Sequence, residues 1–224
     1  MNLDFSVIVK GNTLFLLLKG LENTIFYSVT GFVLAITIGV VIAFGQISKY
    51  KAVQFASNAY LSWFRSTPLL VQLVLVYYGL PLAFKIETEA WICGIIGLGM
   101  YSGAYVSAVI RGAIVSIDKG QMEAGRCLGY SYWQTMYKII LPQAVKRAIA
   151  PLTNEFISLT KNSAMLSTIT VTELFRQTNT LIAKNFKTLE LYLTAAVLYY
   201  LLNNLVGIVG SYFECKLKTG EELS

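Results

Sequence analysis

The sequence predicts an all-α integral membrane protein of about five transmembrane helices, with one polar loop large enough to hold structure of its own. Of 224 residues, 55% are hydrophobic and only 13% charged, about half the charged share of an ordinary soluble domain. Five apolar blocks each approach the ~20 residues that cross a bilayer as a helix. Seventeen Gly and 14 Tyr against four Pro suit helices packed in lipid, where small residues let backbones approach and aromatic rings gather at the interfaces. Residues 1–224 are therefore read as a single transmembrane domain, with no room for a soluble one beside it.

Ahead of the first block, Phe5, Ile8, Val9 and the Leu14–Leu18 run are expected to lie along the membrane surface. Asp4 precedes Lys10 and no small-residue cleavage site follows, so no removable signal peptide is read. The first span, about 24–44, is uncharged, with Lys19 and Glu22 before it and Lys49 and Lys51 after it. The second, about 59–80, contains Arg65, and Pro68 is expected to bend or break it because proline lacks a backbone donor. The third, about 91–110, holds Gly99 and Gly103 at the G-x-x-x-G spacing that admits a neighbouring backbone. The fourth, about 149–169, carries Pro151, Asn154, Glu155, Lys161 and Asn162 and is the least apolar of the set. The fifth, about 191–213, is again uncharged.

Five spans put the termini on opposite sides. Lys49, Lys51, Arg111, Lys119, Arg126, Lys138, Lys146, Arg147, Lys216 and Lys218 fall on one side, against Lys10, Lys19, Lys85, Arg176, Lys184 and Lys187 on the other. The positive-inside bias places the N-terminus outside and the 111–147 loop and the C-terminus in the cytoplasm.

Composition also limits the chemistry. With no His, the usual general base, the commonest metal ligand and every His-dependent nucleophilic set are missing, so no catalytic and no metal-ligating residue is expected. Cys93, Cys127 and Cys215 never stand in a C-x-x-C spacing and read as reduced, structural thiols. The net charge of +6 is spread between apolar blocks, not gathered into a stripe, which argues against nucleic acid.

The polar loop resolves into two short helices. Gln121–Leu128 ends at Gly129, a suitable left-handed cap. Ser131 caps the second, in which Trp133, Met136, Tyr137 and Ile140 recur at helical spacing to form one apolar face, and Pro142 is expected to stop it. Such a knob either docks another protein or packs on the chain's own helix ends. Gly120 and Gly125 stand at a P-loop separation, but Arg126-Cys127 follow where Lys-Ser/Thr must reach phosphate and magnesium.

Glu123-Ala124-Gly125, then Gly129, then Ile139 and Leu141-Pro142 follow the E-A-A-x3-G-x9-I-x-L-P signature of ABC importer permeases, with Gly125 in place of the second Ala. Trp63-Phe64-Arg65-Ser66-Thr67-Pro68-Leu69-Leu70-Val71-Gln72 is similar to the F-R-G-T-P-L-L-V-Q stretch of the polar-amino-acid subfamily, and Arg111-Gly112-Ala113-Ile114, Asn154-x-Phe156-Ile157-x-Leu159-x-Lys161 and Glu173-Leu174-x-Arg176 continue the likeness. The chain thus resembles the membrane subunit of a polar amino acid importer with the type I ABC importer permease fold. The resemblance implies a bacterial inner-membrane subunit that pairs with an identical or related permease. It also implies two copies of a separate ATPase, which bind the ATP and magnesium, and an extracytoplasmic substrate-binding protein. This chain would then bind no cofactor itself. Glu123, Ala124, Gly125, Gly129, Ile139, Leu141 and Pro142 would form the ATPase-coupling loop, with Gly125 allowing close approach and Glu123 favouring the helix start. The family commonly has a Glu three residues before Arg111, where this chain has Ala108; a heterodimeric partner could supply it, so homodimer and heterodimer both stand.

Charges within spans are costly and normally face protein or a water-filled path. Arg65 and Lys161 are candidates to attract a substrate carboxylate and Glu155 an amino group, with Gln72 and Asn154 adding neutral hydrogen bonds. Each has a structural alternative: Arg65 bonding carbonyls freed at the Pro68 bend, the others bonding neighbouring helices. Tyr101, Tyr105, Tyr77 and Tyr78 read as packing or interfacial residues, and Ser163 and Ser167 as local backbone acceptors' partners. An autonomous secondary transporter or channel built on the same charges is the alternative function; it calls for inverted repeats, and none is found. A membrane scaffold whose knob merely tethers a partner would need no intramembrane charges at all.

Overall fold

The computed structural model describes residues 3–85 and 88–218; the side chain of Lys218, one of the charges used above for orientation, lies outside the described residues. A short α1 (Ser6–Val9) leads through Gly11, at φ +61°, into α2 (Thr13–Gln46). This helix has 34 residues, about 51 Å at 1.5 Å per residue. The Leu14–Leu18 run therefore belongs to α2 itself and not to a separate surface segment, because no breaker separates it from the span that follows. Asp4 ties the N-terminal stretch to the far end of the chain: its backbone N–H donates to Glu190 Oε1 at 3.0 Å and its carboxylate lies 3.4 Å from Lys187 Nζ.

The second predicted span is not one helix. α3 (Lys51–Ser66) and α4 (Leu69–Phe84) meet at 109°. Thr67 is extended, as the residue before a proline must be, and Pro68 starts α4 without an N–H. Gln72 closes the corner: its side-chain amide donates to the carbonyls of Phe64 and Thr67, both at 3.1 Å, and to Thr67 Oγ1 at 2.6 Å. Gln72, not Arg65, thus satisfies the carbonyls freed at the bend. Replacing Gln72 by the nearly isosteric Leu is expected to destabilise the protein by about 1–3 kcal/mol, the cost of stranding buried acceptors, measured as a lower thermal midpoint in detergent.

α5 (Ala90–Val115) runs five residues past the predicted end of the third span and packs along α2. Gly99 receives Leu34, and Gly103 receives Ile38, so the G-x-x-x-G spacing is used within the chain. From the other helix, Gly39 faces Val106. On α5's other side, Gly97 makes room for Leu73 of α4, and Leu69, Leu73, Leu98, Leu159 and Leu166 form the buried centre of the bundle.

After α6 (Lys119–Cys127) and α7 (Tyr132–Thr135), a π-helical turn (Met136–Ile140) passes directly into α8 (Leu141–Asn162) and a 3₁₀ segment (Ser163–Ile169). Pro142 therefore does not stop the helix, and the fourth predicted span, 149–169, is the continuation of the loop's second helix. The wide turn just before Pro142 lets the chain pass a residue with no N–H without ending the helix. α8 lies against α2, α5 and α10 (Thr188–Lys218). Among the described residues, α2, α5 and α10 are long and apolar enough to cross a membrane, and α3 with α4 makes a broken span or re-entrant pair; α8, with its charges, is not in that set.

The connection before α10 contains a helix the sequence reading did not assign, α9 (Leu174–Asn185). It buries Leu174, Thr178 and Leu181 at i, i+4 and i+7 against α2 and α10. Glu173 caps it: the fully buried carboxylate accepts from Phe175 N at 2.6 Å, Arg176 N at 2.7 Å and the Tyr199 hydroxyl at 3.0 Å. Arg176 in turn donates to the Ser167 carbonyl at 2.8 Å. Ser163 and Ser167 bond backbone carbonyls three residues back, as the sequence implies. Of the thiols, Cys93 is in the core while Cys127 and Cys215 are exposed, so only Cys93 is structural by packing.

Candidate functional site

The knob begins two residues earlier than expected. Asp118, not Glu123, supports the start of α6, its carboxylate accepting from Gly120 N at 2.7 Å. The helix ends in a Schellman arrangement: Gly129 is at φ +85°, Tyr130 N donates to the Gly125 carbonyl at 3.1 Å and Gly129 N to the Arg126 carbonyl at 3.0 Å. Ser131 then forms a capping box with Gln134.

The expected single apolar face on the second helix is split in two. Met136 and Ile140 are buried and join Ala113, Ile114, Ala144 and Ala148 in a cluster that fixes the knob to the end of α5. Trp133 and Tyr137 are instead 67% and 75% exposed, with the Trp133 ring centre 6.3 Å from that of Phe44 on α2. The 3.6-residue period assumed from sequence does not run through the π turn at Met136–Ile140. One face of the knob thus packs on the chain's own helices, while Glu123, Ala124, Leu128, Trp133 and Tyr137 remain on the surface. Pro142 is also exposed, and Ile139 and Leu141 are half-buried.

Gly125 is buried inside the knob and is not a point of approach for a partner. A Cβ there would stand 2.5 Å from Thr135 Cγ2 and 2.8 Å from Thr135 Oγ1. Gly125→Ala is expected to weaken the knob by about 1–3 kcal/mol, the usual cost of overpacking, and Thr135→Ala in the same chain should recover most of it. Limited proteolysis of the 119–141 segment reads the effect; equal sensitivity of the single and double variants would contradict this packing.

The intramembrane candidates divide. Arg65, at the end of α3, places its guanidinium 5.5 Å from the centre of the Tyr105 ring on α5. Tyr101, one turn earlier, stands with its hydroxyl 3.3 Å from that of Tyr105. Glu155 of α8 is half-buried and interacts electrostatically with both Arg65 and Tyr101. Three helices thus bring a cation, an anion and two phenols together, and the tyrosines set aside as packing residues belong to this group. Their i, i+4 spacing beside Gly103 was the available signal. Gln72 is not available to a substrate: it is 3% exposed, its nitrogen is used at the α3–α4 corner and its oxygen has no partner among the described residues. Asn154 and Lys161 are exposed, with Ser158 half-buried between them.

Comparison with known proteins gives one consistent result. Residues 12–219 match the family described as "Binding-protein-dependent transport system inner membrane component". The chain is 34% identical over 221 residues to the arginine transport system permease protein ArtQ of Bacillus subtilis (strain 168), a match covering 99% of this chain and 100% of that one. It is 35% identical over 199 residues to the L-cystine transport system permease protein TcyB of the same organism, covering 88% and 85%. Among solved structures it superposes on a chain of an amino acid ABC transporter with TM-score 0.88 and 33% identity, covering 96% and 100%. The methionine transporter MetNI in inward-facing form matches with TM-score 0.72 and 20% identity over 90% and 94%, a likeness of fold alone.

Proposed function

The chain belongs to the binding-protein-dependent transport system inner membrane component family, and from that premise we propose that it carries a polar amino acid across a bacterial inner membrane. The permease itself is not the catalytic component of such an importer. The observation that carries the substrate class is the Arg65–Tyr105–Tyr101–Glu155 group. A zwitterion presents a carboxylate and an ammonium a few ångströms apart, and a guanidinium on α3 and a carboxylate on α8, two helices that both pack on α5, complement both. Asn154 and Lys161, exposed on α8, line the same route where a second permease subunit, identical or related, completes it.

ATP and magnesium belong to two ATPase subunits that dock on the outward face of the knob. Glu123 offers a charge-assisted contact there. The helix continuity from Tyr132 through Asn162 supplies the mechanical link: a displacement of the knob moves α8, and with it Glu155 and Lys161, as one body. ATPase closure would thereby alternate the route between its two open sides. In this orientation the knob and the C-terminus are cytoplasmic, and the Asp4–Lys187 end faces the substrate-binding protein.

The test is reconstitution. The permease with its ATPase and binding protein in liposomes should import an amino acid only with ATP, and that amino acid, out of the twenty, should stabilise the purified complex against heat. Flux through this chain alone, or stabilisation by some other solute and no amino acid, would overturn the reading.

A further inference from the structure

Three cavities outside the substrate route share their walls and together form one trough along α2. The largest, about 580 Å³, adjoins a second of about 540 Å³ through Ile149 and Leu152, and a third of about 340 Å³ through Phe44. Along α2 the wall is made by Phe32, Ile36, Val40 and Phe44, four residues at i, i+4, i+8 and i+12 that stack on one helical face. Twelve residues rise about 18 Å, close to the ~15 Å of hydrocarbon in one leaflet. Phe156, edge-on to Phe32 at 5.0 Å, lines the inner end together with Leu205, Val209 and Phe213 of α10. The outer end changes character: Ser48, Lys49, Tyr50, Tyr132 and Trp133 ring the mouth beside the knob.

The trough is therefore amphipathic along its length, with an apolar channel one leaflet deep and an aromatic, cationic mouth at interface level. Lys49 is exposed, its ammonium 6.0 Å from the Tyr132 ring centre, and no carboxylate pairs with it among the described residues. The second permease subunit belongs elsewhere. At 3.6 residues per turn, Asn154, Ser158 and Lys161 lie on the side of α8 opposite Val145, Ile149 and Leu152, with Glu155 about a quarter turn from each, so the exposed polar face of α8 points away from the trough.

We propose that this trough is a binding site for an anionic phospholipid of the leaflet on the knob side, its phosphate beside Lys49 and an acyl chain along Phe44, Val40, Ile36 and Phe32. Because the mouth is built from the α2–α3 junction and from Tyr132 and Trp133, the bound lipid bridges the knob to the bundle.

The purified full-length chain, washed in detergent and then incubated with equimolar phosphatidylglycerol and phosphatidylcholine of identical acyl chains, tests this by mass spectrometry of the retained lipid. Phosphatidylglycerol should be retained about fivefold over phosphatidylcholine, the discrimination one surface lysine provides. Lys49→Gln should bring the ratio close to one, while Lys51→Gln, exposed but outside the trough, leaves it unchanged. Val40→Phe, which fills the channel, should lower the total retained. Equal retention of the two lipids by the unaltered chain, a ratio indifferent to Lys49→Gln, or a total indifferent to Val40→Phe would overturn the proposal. So would efficient cross-linking of two copies through Val145→Cys in a Cys127→Ser/Cys215→Ser background, since that places a subunit where the lipid should lie.

Discussion

Glu155→Gln is expected to lower amino acid import by about 10–100-fold while leaving assembly with the ATPase intact. The side chain is half-buried, and none of the described residues donates a hydrogen bond to its carboxylate. Its charge is balanced only at a distance by Arg65, whose own close neighbour is the Tyr105 ring. A charged acceptor left without a direct partner in a protein interior is costly unless something completes it, and a substrate ammonium does so during transport. Hydrogen bonds to charged groups contribute about 1.5–3 kcal/mol, which sets the expected loss. Gln retains the shape and an acceptor, so helix packing should hold, and the protein should purify with its partners as before. The measurement is ATP-driven uptake in liposomes with the same preparation assayed for subunit content. Unchanged uptake would show that the ammonium is recognised elsewhere, and loss of the complex would show that Glu155 serves helix packing.

Gly39→Val is expected to cost about 3 kcal/mol or more of stability and to deplete the folded protein in membranes. The Cβ alone would stand 2.6 Å from Val106 Cγ1 and 3.1 Å from the backbone nitrogen of Ser107. A side chain can rotate away, whereas the Ser107 backbone sits inside α5 and cannot move without separating the two helices. Overpacking of a tight core usually costs about 1–3 kcal/mol, and here the backbone contact places the effect at or above the top of that range. Gly79→Val is the control: nothing lies within 4 Å of a Cβ at that position, and its thermal midpoint should stay near that of the unaltered protein. Equal behaviour of the two variants would mean that α2 and α5 are less closely apposed than described.

Both effects come from sites that the sequence marks only in part. Glu155 stands out because a charge amid apolar residues is expensive in lipid, and the knob stands out because its Gly, Pro and capping residues obey local rules. Gly129 and Ser131 do what their residue types dictate, since a left-handed cap and a capping box involve only residues within a few positions of each other. Gly39 carries no such mark: it looks like any helical glycine until Val106 is placed opposite it. The same applies to Gly125, whose Thr135 neighbour lies across a turn, and to Gln72, whose role depends on a 109° corner that brings its amide back over Phe64. Pro68 announced a bend but not its angle, and Pro142 announced a stop that a π turn removed.

Residue order alone was enough for the class of protein and the family signature, because hydropathy and short motifs are properties of short stretches of chain. Relations between distant stretches lay beyond it: which face of the knob is covered, which tyrosines stand beside Arg65, that α8 continues the knob's helix, and that a leaflet-deep trough opens beside Lys49. Those follow from side-chain volume meeting side-chain volume across helices far apart in the chain, and they exist only once the helices are packed.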